Sequence, residues 1–392
     1  MPTLDVAMPL ALLAVSTVAL LLNKRTEGKL KTTFEERELR TRDIVLLVVM
    51  IVVAVSVVGY VSIIDTAHLF QNIILVVFLF SYSMLLFIFS YLFSGMKQRK
   101  AQLFSLGFAV ASLLAGTIGL LEPFADGLAL YRALTFYGLA TFALASIILD
   151  AKKTDVQERL HIAVQPPALF VLLFVFFNVV YDGAPVWAPA LLDVFALTFA
   201  VLIILYLGSL FTWKTTLVFA VLLTVVDIIL VLGTGTMVVA AQQFTGLGLP
   251  VLVHLPNVPF VFSAEGIVLF RGLGLGDFFF AGILALQTFK KFGKKTAYVA
   301  VVAMTISFAI FEAFLPEILN LLEPLLQREI GGFPGTLMIF LGWIPVVAGK
   351  ILNDKKPWKA LKNKLLRGRK QKQQDREMDQ KIGNDVLPEQ GT

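Results

Sequence analysis

Apolar residues run along this chain in eleven blocks of 17 to 26 residues, at 4–22, 43–64, 69–94, 103–121, 128–149, 162–182, 189–210, 213–232, 267–289, 296–315 and 334–350. About 20 such residues make a helix that spans the hydrocarbon core of a bilayer. In lipid a block of this kind has no water to bond, so it must satisfy its backbone internally, as a helix does. Composition points the same way: 58% of the 392 residues are hydrophobic and 15% are charged, against roughly 25% charged in an ordinary soluble domain. The expected fold is therefore all-α, a polytopic transmembrane helix bundle with about eleven spans. The first block carries Asp5 and is followed by Asn23, Lys24 and Arg25 without a small-residue cleavage site. It reads as a retained anchor rather than a removable signal peptide.

The basic residues orient the spans. Thirty of the 33 Lys and Arg fall in alternate connections and in the stretch after residue 349, and only Arg132, Arg271 and Arg328 fall on the other side. Loops rich in Lys and Arg stay in the cytoplasm. The expectation is an N-terminus outside, a C-terminus in the cytoplasm and a multi-pass protein of a prokaryotic cell membrane. The net charge of +6 is then topological anchoring. The bilayer is the expected partner, and nucleic acid is not called for.

Three parts are expected along the chain: N-terminal spans over 1–210, a core over 211–350 and a basic, partly disordered tail over 351–392. Residues 23–42 mix both signs and suit a short solvated helix. Residues 233–266 read as the longest outer loop, and within it the proline-broken Val251–Phe262 suits an interfacial hairpin or a re-entrant segment. Such a hairpin would offer a strand for an extended peptide to pair with.

Cysteine is absent, and His68, His161 and His254 are isolated in sequence. Disulfide scaffolds, thiol catalysis and most zinc chemistry are excluded, and no cofactor or metal is implied. The chemistry on offer lies with acids inside the spans, which are costly there and so mark function by default. Asp182, Asp193 and Glu312 stand near outer ends, where water is expected to reach them. Asp227 and Asp277 lie deeper. Asp227 is 13 residues beyond Lys214 and Asp277 is 13 residues before Lys290. At about 1.5 Å per residue, both lie roughly 20 Å from their basic anchors, at matching height on antiparallel helices. Two carboxylates at one level form a candidate dyad, one acting as general base on a water and one as general acid. A proton relay or an ion site in a proton-coupled transporter is the alternative.

Gly274-Leu275-Gly276-Asp277 opens an apolar helix. This resembles the G-x-G-D motif of the presenilin and signal peptide peptidase family of intramembrane aspartyl proteases. Asp227, followed by Thr234 and Met237, resembles the first-aspartate helix of that family's archaeal members, with Val226 where the family usually has Tyr. Pro334-Gly335-Thr336 resembles its Pro-Ala-Leu element, matching at the proline. The resemblance covers about 213–350 and implies nine spans, with two more here on the N-terminal side. It implies that Asp227 and Asp277 are catalytic. It further implies support or substrate binding by Gly274, Leu275, Gly276, Pro334, Gly335 and Thr336, and a transmembrane peptide or membrane-protein substrate. The direction of the two helices matches signal peptide peptidase, whose substrates have cytoplasmic N-termini. An inactive relative that holds partner membrane helices remains a further reading.

The residues also have plainer roles open to them. Gly274 and Gly276 suit either close approach to the carboxylate or close helix packing. Pro334 suits either the freeing of backbone groups or a simple helix start. Arg271 is expected to hold Glu265 or a substrate carboxyl, or to anchor at the interface.

Overall fold

A computed structural model describes residues 5–33, 39–64, 68–121, 127–151, 159–174, 189–246, 250–262, 270–327 and 332–354. Asp182, Glu265, Arg328 and the tail past residue 354 lie outside them. The described chain is mostly helical. Its elements are α1 (Ala7–Thr33), α2 (Thr41–Ile64), α3 (His68–Ser94), α4 (Gln98–Ile118), α5 (Ala129–Ala151), α6 (Leu160–Ala163), α7 (Gln165–Phe174), α8 (Pro189–Leu210), α9 (Trp213–Ile228), α10 (Thr236–Gly246), β1 (Leu252–Pro256), β2 (Phe270–Gly274), α11 (Leu275–Phe292), α12 (Lys294–Ala313), α13 (Leu315–Leu326) and α14 (Gly335–Asp354). All eleven apolar blocks contain helix. Eight of the described helices are long and apolar enough to cross a membrane. Large apolar side chains such as Phe80, Leu103 and Ile148 stand on their outer surfaces, as expected where lipid is the solvent. Two compact units divide the chain, Met1–Ile344 and Pro345–Thr392; all that follows concerns the first.

Helix α11 is the axis of this unit, with every residue from Phe278 to Thr288 buried. Helices α1, α8, α9 and α12 pack against it. Gly282 makes one of these approaches possible: a Cβ there would lie 2.4 Å from the Ile204 side chain of α8. At the basic end, Gln287 donates from its amide to the carbonyls of Gly208 and Phe211 at 3.0 and 2.8 Å. Lys290 pairs there with Glu27 at 2.8 Å. A second cluster holds α3, α7 and α8 together around Tyr82, Phe170 and Phe174, all fully buried. The Tyr82 hydroxyl donates to the Phe195 carbonyl at 2.6 Å, since a buried phenol needs a partner.

Several boundaries differ from the sequence expectation. Residues 23–33 continue α1 instead of forming a separate solvated helix. Asn23, Thr26 and Leu30 are buried, and the Thr26 hydroxyl donates back to the Leu22 carbonyl at 3.2 Å. The block 162–182 is broken by a turn at Val164, and its described helix ends at Phe174. The expected loop over 233–266 contains α10, which Gly235 makes reachable by turning the chain with φ of +73°. It also contains β1. The expected span over 267–289 begins as β2 and becomes helix only at Leu275. Prolines 250, 256 and 259 and glycines 272 and 274 disfavour helix on both sides of the hairpin. Of Val251–Phe262, expected as an interfacial hairpin or a re-entrant segment, Leu252–Pro256 forms β1, which pairs antiparallel with β2, Leu252 opposite Gly274 and Pro256 opposite Phe270.

Candidate functional site

Asp227 is the penultimate residue of α9, whose start is fixed by a reciprocal hydrogen-bonded cap between Thr212 and Thr215. Just past it the helix widens into one π-helical stretch, Ile229–Thr234, a local irregularity that concentrates at functional sites. Asp277 stands in the first turn of α11, three residues after Gly274, the extended N-cap. The two carboxylates line one cavity of about 570 Å³.

The start of α14 meets both acids through consecutive residues. Thr336 donates to Asp227 Oδ2 twice, from its hydroxyl at 2.6 Å and its backbone N–H at 3.3 Å. Gly335 lies flat against Asp277, and a Cβ on it would meet that carboxyl group at 2.5 to 2.7 Å. A larger residue there would force the Asp277 carboxyl group to shift. Gly274 and Gly276 also line the cavity. Pro334 is buried and caps α14 from outside the cavity lining, its carbonyl accepting from Met338 N–H at 3.5 Å. Leu275 is not part of the lining either; its N–H donates to the Val251 carbonyl at 3.0 Å and so ties α11 to the hairpin.

The hairpin forms one wall. Leu252, His254, Gly272 and Gly274 face the cavity, while Val253 and Leu273 point into the core. The bond from Leu275 to Val251 sets the ladder, so Val253, Leu255, Leu273 and Arg271 bond across it. On β1 the outward N–H of His254 is taken by Asp193 Oδ1 at 2.7 Å, and Pro256 has no N–H to offer. On β2 the outward N–H groups are those of Phe270, Gly272 and Gly274. No further strand pairs with that edge among the described residues.

Two acids near span ends turn out differently from expectation, and the third, Asp182, lies outside the described residues. Asp193 and Glu312 do not reach water; both are buried. Asp193 holds β1. Glu312 pairs with Arg271 at 3.1 Å, and Arg271 is not part of the cavity lining; Glu265, its expected partner, lies outside the described residues. Asp5 is also buried and accepts the N–H groups of Ala7 and Val258 at 3.1 and 2.8 Å. Sequence reading missed His254, Gly272 and Phe333 as cavity residues. His254 enters the site only through its cross-strand pairing with Gly272, and spacing along the chain does not carry that signal. Among the described residues, no group of three or more His, Cys, Asp or Glu is placed to hold a metal ion.

The remaining lining is apolar, from side chains such as Phe219, Leu223, Leu230 and Met237. Such a cavity suits an apolar peptide segment and sets two carboxylates against it. Carboxylates this arranged are able to activate a water and to protonate a leaving group. Comparison with family models, curated proteins and solved structures returns no match to this chain.

Proposed function

We propose that the chain is an intramembrane aspartyl endopeptidase of the presenilin and signal peptide peptidase type, cleaving peptide bonds within transmembrane segments. One observation carries this reading. Asp227 and Asp277 share a cavity, and Thr336 and Gly335, adjacent in sequence, each contact one of them. In the proposed reaction one carboxylate takes a proton from a water as it attacks the scissile carbonyl. The other carboxyl protonates the departing amine, and the N–C bond breaks. The Thr336 hydroxyl holds Asp227 in place.

A substrate helix must unwind before hydrolysis, and the outward edge of β2, which ends three residues before Asp277, supports pairing with the unwound strand. In this reading all eleven apolar blocks are membrane-embedded, the basic side is cytoplasmic, and the substrates are segments with cytoplasmic N-termini. The deciding experiment reconstitutes the full-length protein with a labelled transmembrane peptide, alongside Asp227→Asn and Asp277→Asn. Cleavage is expected from the parent and is expected to fall at least about 10³-fold in each variant. Cleavage that survives either substitution overturns the dyad, and a parent inactive over a range of peptides and pH values overturns the protease.

A further inference from the structure

Behind the cavity, the chain commits two charged side chains to one place. Arg271 is the second residue of β2, on the strand face opposite Gly272 and Gly274. Its guanidinium reaches away from the cavity to Glu312, in the last turn of α12, at 3.1 Å. Glu312 is 6% exposed. A buried ion pair is a weak source of stability, since desolvating both charges offsets most of their attraction. What it does supply is geometry. One guanidinium nitrogen within 3.1 Å of one Glu312 carboxylate oxygen links β2 to the end of α12.

Strand β1 is fastened separately, by Asp193 from α8, and Asp5, just before α1, holds Val258 two residues past the strand. The two strands are thus tied to different helices. The tie on β1 uses up a backbone donor on its outer edge, whereas the tie on β2 runs through a side chain and leaves its edge open. From this difference we infer that Glu312 is a positioning residue: through Arg271 it sets the height and register of the open β2 edge relative to Asp277. This rests on the protease reading, in which a substrate strand lies along that edge. A strand displaced by about 1 Å is enough to lower turnover about 100-fold, and a loosened edge lets the guest strand shift along it.

Two measurements test this. The first is turnover of a reconstituted transmembrane peptide, with products identified by mass spectrometry. Glu312→Gln is expected to lower kcat about 30- to 100-fold with KM changed less than about threefold, and to spread cleavage to bonds beside the parent site. The charge exchange Arg271→Glu with Glu312→Arg is expected to recover about tenfold over either single change. Arg271→Lys, which keeps the charge but loses the planar fork, is expected to fall between the parent and Glu312→Gln. A purely structural pair would lower the yield of folded protein while leaving the cleaved bond and kcat per folded molecule unchanged, and that result overturns the inference.

The second measurement needs no turnover. The chain has no cysteine, and Phe270 is exposed on the β2 edge. Phe270→Cys in an Asp277→Asn background is oxidised against peptides that carry one cysteine at successive positions. One dominant disulfide position is expected with Glu312 present, and several with Glu312→Gln. Sharp pairing beside an inactive parent removes the protease reading but keeps the positioning role. Normal turnover with identical disulfide patterns removes the positioning role alone.

Discussion

At the residue scale, Gly335 and Thr336 give the most direct tests, because each lies against one of the two aspartates. A methyl group at 335 has nowhere to go: its neighbour is the carboxyl group of Asp277, 2.5 Å away. Gly335→Ala should therefore displace Asp277, with cleavage of a reconstituted peptide falling about 100-fold or more while the helix content by circular dichroism stays near the parent. Thr336→Val keeps the shape and removes the 2.6 Å hydroxyl donation to Asp227. Turnover should drop about 10- to 100-fold, and Thr336→Ser should keep most of it. The two aspartates were legible in the sequence because acids are rare in apolar blocks and because their spacing from Lys214 and Lys290 is equal. The fit of glycine against one carboxyl and threonine against the other was not, since it depends on the angle at which α14 enters. Glu312 and Asp193 were misjudged for a related reason. Position near a span end says how close water is, but not whether a partner lies closer.

At the element scale, the hairpin depends on carboxylates from three separated parts of the chain. Asp193→Leu leaves the His254 N–H without its acceptor, a loss of about 1–3 kcal/mol, and Asp193→Asn keeps an acceptor and should lose less. Thermal unfolding in detergent, compared for the two variants, measures the difference. Faster hydrogen exchange over residues 252–256 in Asp193→Leu would place the damage in β1. Helices were readable from the apolar blocks, and their ends were read least well. The sequence 267–274 is apolar enough to pass as the start of a span, and only its two glycines and its pairing with Leu252–Pro256 make it a strand. Helix α13 has no described buried residue and exposes Leu321 and Leu325. It was hidden in what looked like a plain connection, because twelve residues fall short of a span.

At the scale of the whole molecule, the distribution of Lys and Arg makes the prediction. A reporter fused after residue 240 should report the outer side, and one fused at the C-terminus the cytoplasm. Opposite results at both sites would invert the expected substrate orientation as well. The all-α membrane architecture was legible from length and hydropathy alone, since few other arrangements solvate so apolar a chain. How the spans pack around α11 was not, because every block is apolar on several sides and lipid and protein faces look alike in sequence.

The asymmetry of the small sheet has a consequence for counting. The outer edge of β1 has its His254 N–H taken by Asp193 and ends at Pro256, so among the described residues the more open edge is that of β2. A sheet with one open edge seats one guest strand directly against β2. Any two peptides that use it must exclude each other, so an uncleavable strand should act as a simple competitor at one-to-one stoichiometry.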